Sequence, residues 1–356
     1  EIHERLVGSE MCIRDRLNCV YRLIAPRSFE PVQVEVPDDL AQVIVRPTYL
    51  SICNADMRYY QGKRSAEALA QKLPMALIHE GVGSVVHDAT GTFERGSSVV
   101  MLPNNPHESN PHIAENYLRS SEFCGSGYDG FMQEYMMLSP SRLVSLPLGI
   151  NQEVAAFTEL VSVAMHAVSR FDAIAHEGRD TVGVWGDGNL GFIVSLILRM
   201  IHPHMRIVVF GRNGYKLNDF TFVDKTHLTY EVGEGFAVDH AFECCGGDGS
   251  ASAIDQIIDV IKPEGTVSLL GVSETPIPVN TRMVLEKGLR LFGSSRSGRQ
   301  DFLDTIAMYE VHPEILGYLS ALVGSVVKVD STACIAKAFE ADARKSMGKT
   351  VMKWDV

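Results

Sequence analysis

Two kinds of domain are predicted for this chain, a doubly wound parallel α/β sheet and a β-rich domain, and three observations predict them. After about Asn151, short apolar strands at 181–185, 206–210, 237–242, 266–270 and 290–293 alternate with helix-length segments, as a parallel sheet covered by helices on both faces requires. A G-x-G-x-x-G string lies between the first of those strands and a helix-length apolar run. Before Asn151 the pattern is strand-like instead, with VYRLI (20–24), QVIVRPTYL (42–50) and GVGSVVHD (81–88) separated by Pro, Gly and Asp. A length of 356 residues suits two domains of about 150 residues each.

In chain order, residues 1–16 come first. The string VGSEMCIRDR within them looks like translated adapter read-through, so 1–16 is expected to be a non-native extension, with a genuine disordered extension as the other reading, and Cys12 carries no functional weight in either case. The β-rich domain is expected over 17–153. Residues 154–297 are expected to form the parallel sheet and its helices. The tail, with helical stretches near 301–311 and 333–343 and a final TVMKW strand, does not continue the parallel alternation, so 298–356 is placed back with the N-terminal domain. Two domains also leave room for a cleft.

Composition removes several classes of function. The hydrophobic and charged fractions, 46% and 21%, are those of a globular chain. Thirty-two basic against 44 acidic residues give a net charge of −12, a field that opposes a phosphate backbone, so no nucleic acid is expected. Apolar runs such as 192–198 fall far short of the roughly 20 residues that span a bilayer, so no membrane insertion is expected. Seven scattered cysteines lack a disulfide rhythm, which makes a reducing cytoplasm the default.

The glycine string is Gly186, Asp187, Gly188, Asn189, Leu190 and Gly191. Its first glycine permits the tight turn, its second lets backbone N–H groups approach a pyrophosphate, and its third lets helix and strand pack closely. In this strand–helix setting it marks a Rossmann dinucleotide site. About 20 residues further on, an NAD-specific site would place an acid for the ribose 2′-OH. Here Gly211 and Arg212 stand at that strand tip with Lys216 close behind, so the pocket is expected to take the 2′-phosphate of NADPH. A solvated surface arginine is the other reading of Arg212.

Cys53 in SICNAD and His79-Glu80 in LIHEGVG supply a thiolate, an imidazole and a carboxylate. That donor set suits zinc, and a catalytic zinc takes three protein ligands with one position open. A lone Cys and a lone His would otherwise be read as core residues.

The wider context makes this chain resemble the zinc-containing medium-chain alcohol and polyol dehydrogenases, over essentially 17–356. Cys53 with Asp56, and His79-Glu80-Gly81, match that family's two metal segments, and Glu159 in TELVSVAMHA matches the Glu that replaces a third ligating Cys in its polyol branch. The resemblance implies a GroES-like catalytic domain, zinc on Cys53, His79 and Glu159, and Glu80 as an acid that can exchange with water on the metal. It also implies that Asp56 orients the ligating histidine. Longer strings, among them RPTYLSICNADMRYYQGKR, WGDGNLGF and GSSRSGRQDF, are similar to a polyol-phosphate branch. That likeness implies reduction of D-ribulose 5-phosphate to D-ribitol 5-phosphate for CDP-ribitol and teichoic acid or capsule synthesis. The implied partners are a second copy in a homodimer and a ribitol-5-phosphate cytidylyltransferase.

Two departures from the family bear on the chemistry. Residues 102–130 contain only Cys124, too few thiolates for a structural zinc, so one catalytic zinc per chain is expected. Ala55 stands where many relatives have a proton-passing Ser or Thr, which leaves the proton to water or Glu80. Arg296 and Arg299 are candidates for the substrate phosphate, with surface charge as the alternative for each, and Lys63, Arg64 and Lys349 compete with them. His166, His240, Cys244 and Cys245 are read as packing residues. An NAD-dependent dehydrogenase of an unphosphorylated polyol and a catalytically silent nucleotide-binding relative are the two other functions considered.

Overall fold

The computed structural model describes residues 17–36, 42–233 and 235–356; the expectations for residues 1–16 and Cys12 lie outside them. The chain divides into two compact units, Glu1–Glu159 with Val323–Val356, and Leu160–Leu322. None of the helices is long and apolar enough to cross a membrane among the described residues.

The first unit is built on a sheet whose strands run in the order Leu143–Ser145, Ser98–Met101, Glu80–Asp88, Val43–Ser51, Lys349–Trp354 and Val323–Val329. The last two pair in parallel and the other pairs on this path are antiparallel. Val43–Ser51 is the central strand, and its register sets Leu50 opposite Gly81 and Ser51 opposite Glu80. Glycine is needed at 81 and 83, because a Cβ there would stand 2.5 Å from Leu50 Cδ2 and 2.5 Å from Val45 Cγ1. Pro47 sits in this interior strand at a register shift, which spares the ladder a missing donor. Leu50, Ile52, Ile78, Met101 and Phe131 pack in the fully buried core beneath. A smaller sheet of Ser28–Glu35, Leu17–Ala25 and Met75–Ala76 completes the unit.

A buried arginine from beyond the 102–130 segment acts as its fastening. Arg142 Nη1 donates to Asn104 O and Glu115 Oε1, both at 3.0 Å, and Nη2 donates to Glu115 Oε2 at 3.2 Å. The fork geometry of guanidinium on carboxylate makes this a stiff contact.

The second unit carries a six-stranded, wholly parallel sheet in the order Lys225–Leu228, Arg206–Gly211, Thr181–Trp185, Val238–Glu243, Ile261–Leu269 and Arg290–Gly293. Read by chain position this is 3-2-1-4-5-6, with the topological switch beside the strand that feeds the glycine string. Five of the six strands lie where the apolar runs predict them. Lys225–Leu228, sequence KTHL, was not anticipated: it is an edge strand of four residues with one apolar side chain. Helix Asn189–Ile201 buries every residue from Gly191 to Leu198, and Trp185 stacks on Phe210 with ring centroids 4.1 Å apart.

The chain returns to the first unit later than the sequence reading placed it. The second unit runs on to Leu322, because helices Arg299–Val311 and Glu314–Ser320 pack on each other and the latter on Asn189–Ile201. Only helix Thr332–Arg344 and the strands on either side of it lie with the N-terminal sheet.

Candidate active site and cofactor site

Cys53 precedes helix Asn54–Tyr60, and Asp56 in its first turn holds the site together. Asp56 Oδ2 accepts from Cys53 N and Oδ1 from Ile78 N, each at 3.0 Å, with the carboxylate wholly buried. Ile78 has φ 72°, a left-handed conformation that a β-branched residue rarely adopts. It is pinned from both sides, since Phe131 N donates to Ile78 O at 2.8 Å. This strained residue immediately precedes His79, whose Nδ1 lies 3.6 Å from Asp56 Oδ1, an ion-pair distance longer than a hydrogen bond. Asp56 thus organises the backbone on both sides of the pair.

One ligand atom each from Cys53, His79 and Glu80 lie within 4.8 Å of one another. Burial opposes charge on His79, but Asp56 and Cys53 beside it hold its pKa well above the ordinary imidazole value. Glu80 is fully buried; its Oε1 accepts from Lys349 Nζ at 2.8 Å, while among the described residues Oε2 has no hydrogen-bond partner, and neither has His79 Nδ1. Burial also opposes charge on Lys349, which Glu80 and Cys53 keep protonated above its usual range. Glu159 is outside the 4.8 Å group, yet it is near enough to feel the charges of His79, Glu80, Lys349 and Asp56. Desolvation pushes its carboxyl up to about 7, against the opposing charge of His79.

A half-buried thiol beside a buried imidazole and carboxylate with orphaned polar atoms is chemically suited to a zinc ion. Cys53, His79 and Glu159 would hold it, with Glu80 adjacent. Lys349, a sequence candidate for substrate phosphate, is corrected by this geometry: its side chain is almost completely buried and its ammonium is committed to Glu80. Arg64 lies over the Tyr59 ring at 5.0 Å, and Lys63 is exposed. Arg296 and Arg299 belong to the second unit. Arg296 also takes a left-handed backbone, φ 59°; next to it Ser297 Oγ hydrogen-bonds Ser162 Oγ at 2.7 Å. Arg299 opens its helix, which Asp301 caps through Gly298 N at 2.8 Å.

In the second unit the glycine string has the form that its spacing predicts. Gly186 has φ 137°, and a Cβ on Gly191 would fall 2.0 Å from Gly186 O, so strand and helix can meet only as glycines. Gly188 precedes helix Asn189–Ile201, and Asn189 and Leu190 form its first turn. A cavity of about 440 Å³ is lined by Gly186, Gly188, Arg212, Lys216 and Cys245, among others. Arg212 is exposed and Lys216 half-buried at its mouth.

Asp187, which the sequence reading passed over, reaches the same place. Its Oδ2 accepts from Arg212 N and Asn213 N, each at 2.8 Å, and from Asn213 Nδ2 at 2.9 Å. Glu243 has a related role at the end of its strand, accepting from Cys245 N, Gly246 N, Ser250 Oγ and Gly271 N. Of the four residues read as packing, Cys244 and His240 are buried as expected, and His166 is buried but also paired, Nδ1 to Asp301 Oδ2 at 3.0 Å. Cys245 departs from the expectation, because it is exposed and lines the cavity.

Comparison with known proteins agrees with both units. Residues 39–148 match the alcohol dehydrogenase GroES-like domain and residues 219–310 match the zinc-binding dehydrogenase model. The chain is 55% identical over 340 residues to ribulose-5-phosphate reductase of Bacillus spizizenii, covering 96% of this chain and 100% of the relative. It is 44% identical to the protein of the same name from Streptococcus pneumoniae, covering 96% and 98%. The crystal structure of S. aureus TarJ in complex with NADPH superposes with a TM-score of 0.85 at 47% identity, over 96% of this chain and 100% of that one. With near full-length identity of this order, and with the glycine string and the Cys–His–Glu group both in place, the chain belongs to the zinc-dependent medium-chain alcohol dehydrogenase family.

Proposed function

We propose that this protein is an NADPH-dependent reductase that converts D-ribulose 5-phosphate to D-ribitol 5-phosphate. The observation that carries the reading is the 55% identity to a ribulose-5-phosphate reductase across that protein's whole length, joined here to a complete donor set and a basic residue at the cofactor cavity. Held by these residues, a zinc ion would supply a Lewis acid for the substrate carbonyl. The chain's own residues do the rest. Cys53, His79 and Glu159 present the ligand atoms, Asp56 fixes the backbone of the first and the approach to the second, and the glycine string seats the dinucleotide from which hydride leaves. Reduction also needs a proton on the new alkoxide oxygen. Ala55 has none to give, so water delivers it, and Glu80 Oε2, which has no hydrogen-bond partner among the described residues, is placed to accept from that water and hold it.

Substrate phosphate is assigned to Arg296 or Arg299 in this reading, and the enzyme works as a cytoplasmic homodimer beside a cytidylyltransferase that consumes its product. The decisive experiment follows NADPH absorbance with ribulose 5-phosphate, xylulose 5-phosphate, fructose 6-phosphate and unphosphorylated ribulose. A charge-assisted contact to the phosphate is expected to give the five-carbon phosphate an advantage of about ten- to a hundredfold in kcat/KM over ribulose. Equal efficiency with and without the phosphate would replace this reading by that of a polyol dehydrogenase.

A further inference from the structure

The tip of the Arg206–Gly211 strand carries no acid of its own, yet a carboxylate occupies it. A Cβ built on Gly211 would fall 2.6 Å from Asp187 Cβ and 2.9 Å from Asp187 Oδ2. The Asp187 side chain therefore fills the volume that a side chain at the strand tip would use, delivered from the glycine string instead. Its two oxygens are not equivalent. Oδ2 takes all three donors from Arg212 and Asn213, whereas none of the described residues donates to Oδ1. Asp187 is half-buried and lines the cofactor cavity together with Arg212.

Both charges reach that cavity. Asp187 and Arg212 both line it, with Cys245 on the same wall. A carboxylate directed at a 2′-phosphate would repel it, so the two must face different parts of the ribose. The neighbouring hydroxyl is a donor that wants an acceptor, and a carboxylate oxygen is a strong one.

We infer that Asp187 reads the adenosine ribose of the dinucleotide, its free Oδ1 accepting from the 3′-hydroxyl while its Oδ2 braces the turn that presents Arg212 to the 2′-phosphate. This makes Asp187 a cofactor-binding residue with two jobs, and it rests on the dinucleotide reading of this unit but not on the choice of sugar substrate.

The test compares NADH with its 3′-deoxyadenosine analogue, which isolates the hydroxyl from the 2′-phosphate. Binding is followed by energy transfer from tryptophan to the reduced nicotinamide in wild type, Asp187→Ala and Asp187→Asn. Loss of the hydroxyl should weaken binding to wild type about tenfold, to Asp187→Asn by less, and to Asp187→Ala by under twofold. A wild type indifferent to the 3′-hydroxyl, or a tenfold difference that survives in both variants, would overturn the inference. The wild-type comparison decides by itself if a variant fails to fold. Wild type that binds neither of these dinucleotides nor NADPH would instead overturn the dinucleotide reading.

Discussion

Lys349 Nζ donates to Glu80 Oε1 at 2.8 Å with both side chains buried. The two residues begin strands that flank Val43–Ser51 on opposite sides, so the last strand of the chain neutralises the acid that follows His79. Removing one member of a buried pair leaves an uncompensated charge. Lys349→Met is therefore expected to destabilise the first unit by about 3–5 kcal/mol, and adding Glu80→Gln to restore a large part of it. Urea unfolding of the three proteins checks this; a loss below about 1 kcal/mol in the single variant would contradict it.

Metal content follows from the Cys53–His79–Glu159 assignment. Elemental analysis should find about one zinc per chain, and Cys53→Ser should lose most of it. Circular dichroism should stay unchanged, because Asp56 caps the Cys53 backbone through N–H and not through the thiol. Retention of zinc by the variant, or two tightly held ions per chain, would refute the assignment.

Cofactor choice depends on the guanidinium at the cavity mouth. Arg212→Ala should weaken NADPH by about 1.5–3 kcal/mol and leave NADH nearly unchanged. Titration of both cofactors against both proteins decides the matter; an equal loss for the two would show that Arg212 does not read the 2′-phosphate.

Acid stability has an identifiable contributor in His240. Burial, and after it the nearby His176, lower its pKa to about 4 from an ordinary 6.5, and its Nδ1 already accepts from Thr266 N at 3.1 Å. Above pH 6.5 the ring is neutral in folded and unfolded chains alike. As pH falls from 6.5 to 4 the unfolded chain takes up a proton that the folded one refuses, and stability drops by about 3 kcal/mol. Urea midpoints at pH 7 and pH 4.5 should lie closer together in His240→Gln than in wild type; identical pH dependence in both would rule out this source.

Short-range chemistry is what the sequence made legible. The glycine string is readable because a tight turn, a phosphate approach and a helix–strand contact each demand glycine within six residues, and Cys53 and His79 because each carries its supporting residue nearby. Asp187 was not read as a ribose residue, since its partners Arg212 and Asn213 lie 25 and 26 positions away and a bare Asp in a loop signals nothing. Lys349 could not be ranked among the phosphate candidates for the same reason on a larger scale, with 269 positions between it and Glu80. Helix Arg299–Val311 was recognised as a helix but placed in the wrong unit, because periodicity describes a face and not the surface that covers it.

The Arg142 clasp on Glu115 and Asn104 O decides what the 102–130 lobe depends on. A lobe knotted by thiolates comes undone when those sulfurs are oxidised or their ion is stripped away. Guanidinium and carboxylate neither oxidise nor exchange under such conditions, so this part of the molecule keeps its shape through swings in cellular thiol status and metal supply. A chelator then has the Cys53 centre as its point of attack, and an oxidant has cysteines outside the lobe, Cys53 and the exposed Cys245 among them.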